Sequence, residues 1–214
     1  MLRRTSTTPA APSAHRRTLL LAAAGATLGL AAPAQAQAQT RSSAPARAVP
    51  SELTAFGPAG TGWRLQGSGV LRFFGFKAYD AYLWSSGGNT NPLLGNLPFA
   101  LEIEYSTSLR AEEIVNVSLV EMARMRPLSE EQVKTWNQEM QRSFPSVKPG
   151  DRLLGVQVPA AGTRFFHNGR LVSEIKDPAF GNAFFAIWLD EQTKRPELRR
   201  DLLGAAAEAP SPRP

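Results

Sequence analysis

The stretch GSGVLRFFGFKAYDAYLW, residues 67–84, reads as two β-strands with a break at Gly75. Glycine tolerates backbone angles that a turn or bulge requires, so the pattern predicts a reversal of the chain there. Aliphatic and aromatic residues dominate both halves, yet Arg72, Lys77 and Asp80 stand among them. A charge on an apolar strand needs an internal partner or a ligand. The stretch therefore predicts both a hairpin and a candidate site.

Downstream of this hairpin, the chain continues as further strands and helices. PFALEIEYS, residues 98–106, alternates apolar and acidic residues as a half-buried strand does. Two helices should follow, the first with Ser108 as its capping residue and the second with Ser129 and Gln132 spaced as a capping box. The second helix ends in a turn that leads into another strand, RLLGVQV, residues 152–158.

The C-terminal third adds another hairpin and two more helices. The pair Asn168-Gly169 tolerates the positive φ angles of a tight hairpin. Asp177 and the proline after it begin a helix whose apolar residues share one face and predict core packing. A short last helix should end at Gly204. Strands, paired helices, strands and helices in that order predict an α+β fold with an antiparallel sheet, one face of which is covered by helices.

The two ends of the chain read differently from this folded unit. Residues 1–38 show a basic start, an apolar run and small-residue cleavage sites, which is typical of an export signal peptide. The apolar run is shorter than the roughly 20 residues that span a bilayer, which disfavours a membrane anchor. Residues 39–60 predict a flexible linker, 61–204 the folded domain and 205–214 a disordered tail. We expect a periplasmic or secreted protein, exported by the general route or, given Arg16-Arg17, the twin-arginine route.

Composition excludes several classes of function. The chain has no cysteine and two histidines, so neither a disulfide framework nor a Cys- or His-rich metal site is expected, and no cofactor is indicated. The net charge is +6, but without the four arginines of the signal peptide the mature chain has 20 basic and 18 acidic residues, a net charge of +2. The remaining basic residues are scattered, which argues against a nucleic-acid partner.

The motifs taken together resemble the chalcone isomerase fold, in particular its exported bacterial members. The landmarks, in order, are the hairpin of residues 67–84, then PFALEIEY, KPGDRLLGV, the HNGR turn, and AFFAIWLD followed by PELRRDLL. The resemblance implies an open-faced sandwich, in which a large antiparallel sheet is backed by a layer of helices with a cleft between the two layers. It covers most of the region from Trp63 to Gly204.

The catalytic set that the resemblance implies is largely missing. Arg72 lies one residue beyond the place of the family's arginine, and Lys77 stands where the plant enzymes carry a threonine. The first helix has no tyrosine, and Asn116 is an uncertain substitute for the family's asparagine. We therefore expect no catalytic residues and no chalcone cyclisation, which needs donors to polarise a ketone.

Noncatalytic relatives bind fatty acids in the cleft, so the resemblance implies a small amphipathic carboxylate as ligand. An arginine in an apolar pocket suits a fixed anion. The expected ligand-binding residues are Arg72, Phe74, Tyr79, Tyr82 and Asn116. Three alternatives stay open: an internal Arg72–Asp80 pair, an isomerase or lyase that uses Arg72 with Tyr79 or Lys77, and an accessory protein whose cleft its own side chains fill. No membrane span is expected in the mature chain, and the oligomeric state is left open.

Overall fold

The computed structural model describes residues 47–56, 62–87 and 91–204. Two short 3-10 helices, Ser51–Ala55 and Pro92–Leu94, accompany the main elements. The strands and α-helices, in chain order, are β1 Arg64–Phe73, β2 Phe76–Ser85, β3 Phe99–Tyr105, α1 Ala111–Met125, α2 Glu130–Ser143, β4 Arg152–Val158, β5 Gly162–His167, β6 Arg170–Ile175, α3 Pro178–Leu189 and α4 Pro196–Leu203.

The six strands form one antiparallel sheet in the order β1-β2-β3-β4-β5-β6. Helices α1 and α2 are inserted between β3 and β4, yet these two strands still pair with each other. Helices α3 and α4 follow the last strand, and α4 packs against β1. The α+β prediction, an antiparallel sheet with a helical layer, is confirmed.

The main core lies between the sheet and the helices. It is rich in aromatic residues, because α3 contributes three buried phenylalanines, Phe180, Phe184 and Phe185. The apolar periodicity of this helix predicts that its apolar face packs in the core. Phe180 and Phe184 stack with ring centroids 5.6 Å apart, and Phe165 of β5 meets Phe184 edge-on at 5.3 Å. Such contacts add stability beyond the area that they bury.

Two of the three predicted helix starts and the predicted hairpin turn are observed. Ser129 accepts a hydrogen bond from the Gln132 amide, and Asp177 accepts one from the Ala179 amide. Asn168 and the glycine after it have φ angles of 49° and 86°. The prediction for Ser108 was wrong, because α1 begins at Ala111. The Glu113 carboxylate accepts a hydrogen bond from the Arg110 amide at 2.7 Å, which fixes the start of the helix there.

A second, smaller core lies on the other face of the sheet. The 3-10 helix Ser51–Ala55 places Leu53 at 0% exposure and packs with Phe56 onto Trp84 and Leu154. Residues 47–56 therefore differ from the flexible linker predicted for 39–60, because their apolar side chains are anchored. Residues 39–46 and 57–60 lie outside the described residues, as do the predicted signal peptide, 1–38, and the predicted disordered tail, 205–214.

Charged groups hold this N-terminal segment as well. Glu102 of β3 is 2% exposed, and its carboxylate accepts hydrogen bonds from Arg47 at 2.8 Å and from the Trp84 indole at 2.8 Å. Arg152 lies 3.5 Å from the same carboxylate and forms an ion pair with Glu52.

Within the described ranges, no helix is both long and apolar enough to cross a bilayer.

Candidate functional site

The turn between β1 and β2 is a two-residue hairpin. Phe73 pairs with Phe76 across it, and the residues between them, Phe74 and Gly75, have φ angles of 47° and 84°. Positive φ at both central residues is the requirement of a type I′ turn, which favours Asn-Gly. Here a phenylalanine occupies the position that asparagine usually takes. The predicted break at Gly75 is thus a tight turn that carries an aromatic side chain at its tip.

A pocket of about 160 Å³ lies beside this turn. It is lined by Arg72, Phe73, Phe74 and Arg195, which is the residue that precedes α4. The Arg195 guanidinium lies 5.2 Å from the centre of the Phe73 ring, a cation–π distance. Within the described part of the chain, neither guanidinium forms an ion pair with a carboxylate. Two cations and two phenyl rings therefore converge on one open depression.

The internal pair between Arg72 and Asp80 is not formed. The register of β1 on β2 shifts between Leu71 and Arg72, so Arg72 pairs with Lys77 of the opposite strand. A bulge of this kind changes which side chains are neighbours. Asp80 instead forms its ion pair with Lys77, and Arg72 is left exposed to solvent.

Tyr79 lies on the helical side of β2. Its hydroxyl oxygen accepts a hydrogen bond from the Trp188 indole at 2.9 Å. Burial raises the pKa of Tyr79 to about 12, although the nearby Arg195 charge acts in the opposite direction. The hydroxyl therefore stays protonated, and its own proton has no acceptor among the described residues. Tyr79 does not line the pocket itself. It is close enough to Arg195, which does, for the positive charge of Arg195 to act on its hydroxyl group.

Tyr82 and Asn116 lie away from the pocket. Tyr82 faces the N-terminal segment, and the Arg47 guanidinium stacks 3.8 Å from the centre of its ring. Burial raises the pKa of Tyr82. Asn116 is exposed on α1. Of the five expected binding residues, the structure brings Arg72 and Phe74 together, places Tyr79 close by and separates the other two.

Sequence reasoning missed Arg195 and Trp188 as members of the site. From the sequence, Arg195 is one of the scattered basic residues, and Trp188 belongs to the apolar face for which core packing was predicted. Trp188 lies in α3 and Arg195 directly precedes α4, and the packing of these two helices brings both residues to β1 and β2. No local signal marks them, because their neighbours in the site are more than 100 positions earlier in the sequence.

The interior between sheet and helices is filled by side chains of the chain itself. Phe144, Phe165 and Phe184 contact one another with ring centroids 4.9 to 5.7 Å apart. The phenylalanines of the first hairpin do not contribute to this interior: Phe73, Phe74 and Phe76 are 54%, 92% and 80% exposed. The described residues also contain no group of three or more acidic or histidine side chains that could hold a metal ion.

Comparison with known proteins agrees with this architecture. Residues 49–204 match the model of a family described as chalcone isomerase-like. An uncharacterised protein of Haemophilus influenzae is 25% identical over 142 residues, which are 66% of this chain and 68% of that protein. The crystal structure of a fatty-acid binding protein of Arabidopsis thaliana has a TM-score of 0.53 over 66% of this chain and 86% of that chain, at 10% identity, which shows a shared fold. With a match over most of its length, this chain belongs to the chalcone isomerase-like family.

Proposed function

We propose that this protein binds a small amphipathic carboxylate, such as a fatty acid, at the pocket beside the β1–β2 turn. The observation that carries the proposal is the convergence of Arg72 and Arg195 on one depression, with no carboxylate of the described chain to pair with either. A guanidinium presents parallel N–H donors that match the two oxygens of a carboxylate. The name of the similar plant structure, a fatty-acid binding protein, supports the same class of ligand.

The size of the pocket sets how such a ligand lies. Its volume of about 160 Å³ is below the roughly 300–1,000 Å³ of a pocket that encloses a whole small molecule. It therefore takes the carboxylate and the first carbons, and the acyl chain lies along Phe73 and Phe74. Burial of apolar carbons against these rings contributes about 0.8 kcal/mol per methylene.

Binding is favoured over catalysis at this site. The raised pKa of Tyr79 keeps its hydroxyl protonated at neutral pH, so it can donate a hydrogen bond but cannot act as a base. Lys77 is paired with Asp80 and is partly exposed, which gives its amine none of the desolvation that activates a lysine nucleophile. We infer that the protein does not isomerise chalcones.

A binding experiment tests the anchor assignment. The purified protein is titrated into a fluorescent C12 fatty acid, and the double variant Arg72→Gln/Arg195→Gln is compared with Arg142→Gln, an exposed arginine on α2. Charge-assisted hydrogen bonds contribute about 1.5–3 kcal/mol each, so we expect at least a tenfold higher Kd for the double variant and no change for the control. Equal affinity in all three proteins would remove the two arginines from the site.

A second candidate function rests on the filled interior. The aromatic core leaves the space between sheet and helices occupied, as in an accessory protein that binds no small molecule. Denaturing extraction of the purified chain followed by mass spectrometry separates the two. Release of a lipid supports the role as a carrier. An extract without lipid, together with no binding of the fluorescent fatty acid, supports the accessory role.

We further propose that the protein acts outside the cytoplasm. The support is the three-part pattern of residues 1–38. Expression of the full chain in a bacterium, followed by fractionation and N-terminal sequencing, should find a mature chain that begins after Ala36 or Ala38. Export that survives Arg16→Lys/Arg17→Lys would indicate the general route, and export lost in that variant the twin-arginine route. A chain retained unprocessed in the cytoplasm would contradict the proposal.

A further inference from the structure

The tip of the first hairpin is an exposed apolar surface. We define the hairpin tip as residues 72–77, all six of which are exposed to solvent. Its three phenylalanines expose 54%, 92% and 80% of their surface, in chain order, and Val70 beside them exposes 42%. Single exposed apolar residues are common on soluble proteins, but clustered aromatic rings mark an interaction surface.

The backbone strain at Phe74 also indicates that the hairpin tip is an interaction surface. Phe74 has a φ angle of 47°, in the left-handed region that asparagine and glycine tolerate and bulky residues disfavour. The equivalent turn position of the β5–β6 hairpin has a φ of 49° and holds Asn168, the favourable choice. A phenylalanine that is both strained and 92% exposed contributes little to the stability of the isolated fold. Its side chain is placed where it can contact something outside the protein.

The charges around the hairpin tip are mainly positive. Arg72 and Arg195 have no acidic partner among the described residues. Lys77 is neutralised by Asp80, and Glu197 is an exposed acid in the first turn of α4. Lys194 adds a further positive charge, although it pairs with Glu121 at 2.6 Å. Aromatic rings flanked by unpaired guanidinium groups complement an apolar layer that is covered by anionic groups.

We propose that the hairpin tip docks onto the surface of an anionic lipid bilayer. The rings of Phe73, Phe74 and Phe76 enter the boundary between head groups and acyl chains, while Arg72 and Arg195 contact lipid phosphates. Each basic residue near an anionic membrane adds attraction that salt screens. A bilayer needs no groove to receive a narrow convex turn, which favours it over a protein partner.

This docking goes beyond the proposed function and does not require it. Because the tip and the pocket share Arg72, Phe73 and Phe74, a docked protein would hold the pocket at the lipid surface. Vesicle binding and fatty-acid titration are separate measurements, so either result can fail without the other.

Co-sedimentation with large unilamellar vesicles tests the proposal. The full chain is mixed with phosphatidylcholine vesicles that do or do not contain phosphatidylglycerol. The tip variant is Phe74→Asn/Phe76→Thr, because asparagine tolerates the left-handed turn position and threonine suits a strand. The control is Val117→Ser/Val120→Ser, which replaces two valines of α1 that are 63% and 62% exposed. Residues 1–38 are common to all variants, so differences in partitioning report on the mutated surface.

We expect the wild type and the control to partition alike onto the anionic vesicles. The tip variant should partition at least tenfold less, since two exposed aromatic side chains lose their contact with lipid. Arg72→Gln/Arg195→Gln should remove most of the preference for phosphatidylglycerol and most of the salt dependence. Equal partitioning of tip variant and wild type, or no binding of the wild type, would overturn the proposal. Self-association lost in the tip variant without vesicle binding would assign the tip to a second copy of the chain instead.

Discussion

Glu102 shows how one carboxylate joins the N-terminal segment to the sheet. Its carboxylate is buried, and it is tolerated there because Arg47 and the Trp84 indole donate hydrogen bonds to it, with Arg152 close by. A buried charge without such partners is strongly destabilising. The same arginine that satisfies Glu102 also stacks on Tyr82 and reaches Glu104. Arg47 thus connects a segment outside the sheet to two strands within it.

Substitutions at Glu102 and Glu104 should have unequal effects. Both carboxylates accept a hydrogen bond from Arg47, at 2.8 and 3.0 Å, but Glu102 is 2% exposed and Glu104 is 41% exposed. Glu102→Gln leaves Arg47 and Arg152 without their buried counter-charge, so we expect the free energy of unfolding to fall by about 2–3 kcal/mol. Glu104→Gln should cost at most about 0.5 kcal/mol. Urea unfolding measures both, and equal losses would contradict a specific role for the buried carboxylate.

Phe74 offers a second comparison at the residue scale. Replacement by asparagine relieves the strain of a left-handed phenylalanine, so Phe74→Asn should leave the free energy of unfolding unchanged or raise it by up to about 1 kcal/mol. Asn168 occupies the same turn position in the other hairpin, but its side chain bonds to the Arg152 amide at 2.8 Å and to Asp151 at 3.0 Å.

The reciprocal substitution should therefore be unfavourable. Asn168→Phe loses both hydrogen bonds and adds strain, and we expect it to cost about 2–3 kcal/mol. Thermal unfolding of the two variants provides the measurement. A clear loss of stability in Phe74→Asn would show that the ring supports the fold, which would also weaken its assignment to an external contact.

At the scale of elements, the turns and helix ends were the most predictable parts. Asn168-Gly169 and Ser129 with Gln132 carry their conformation in adjacent residues, and the structure confirms both. The start of α1 was predicted incorrectly, since Ser108 has the usual capping chemistry but Glu113 reaches the Arg110 amide instead. The partners of Arg72 and Tyr79 were not predictable, because a bulge and the packing of two distant helices determine them.

The N-terminal segment was misjudged for a similar reason. Its alanine, proline and serine content is typical of a linker, but two apolar side chains, those of Leu53 and Phe56, anchor it to the sheet. Leu53 is fully buried, and Phe56 meets Phe166 edge-on at 6.1 Å. A short 3-10 helix has little intrinsic stability, so burial of these residues is what keeps it in place.

The contribution of this segment can be measured with one substitution. Leu53→Ala removes a fully buried side chain from the smaller core, and we expect it to lower the free energy of unfolding by about 2–4 kcal/mol. Val49→Ala truncates a neighbouring side chain that is 41% exposed and should cost less than about 0.5 kcal/mol. Amide hydrogen exchange should show faster exchange of residues 53–56 in Leu53→Ala than in Val49→Ala. Equal stability of the two variants would mean that the segment is dispensable to the fold.

At the scale of the whole molecule, the three tyrosines couple stability to alkaline pH. Burial raises the pKa of Tyr79 to about 12 and also raises those of Tyr82 and Tyr105 above their usual value of 10. Below pH 10 the folded and unfolded chains both keep these protons. Above pH 10 the unfolded chain loses them first, so the free energy of unfolding decreases as the pH rises until the folded state titrates as well.

Tyr79→Phe isolates the contribution of Tyr79 to this effect. The variant loses the acceptor of the Trp188 hydrogen bond, so it should be about 1 kcal/mol less stable than the wild type at pH 8. Between pH 10 and 12, however, its stability should decrease less steeply, because a shift of two pKa units corresponds to about 2.7 kcal/mol of pH-dependent stability. Urea unfolding at several pH values, with phenolate absorbance at 295 nm recorded in parallel, compares the two slopes. Parallel slopes for wild type and variant would show that Tyr79 ionises as freely in the folded protein as in the unfolded chain.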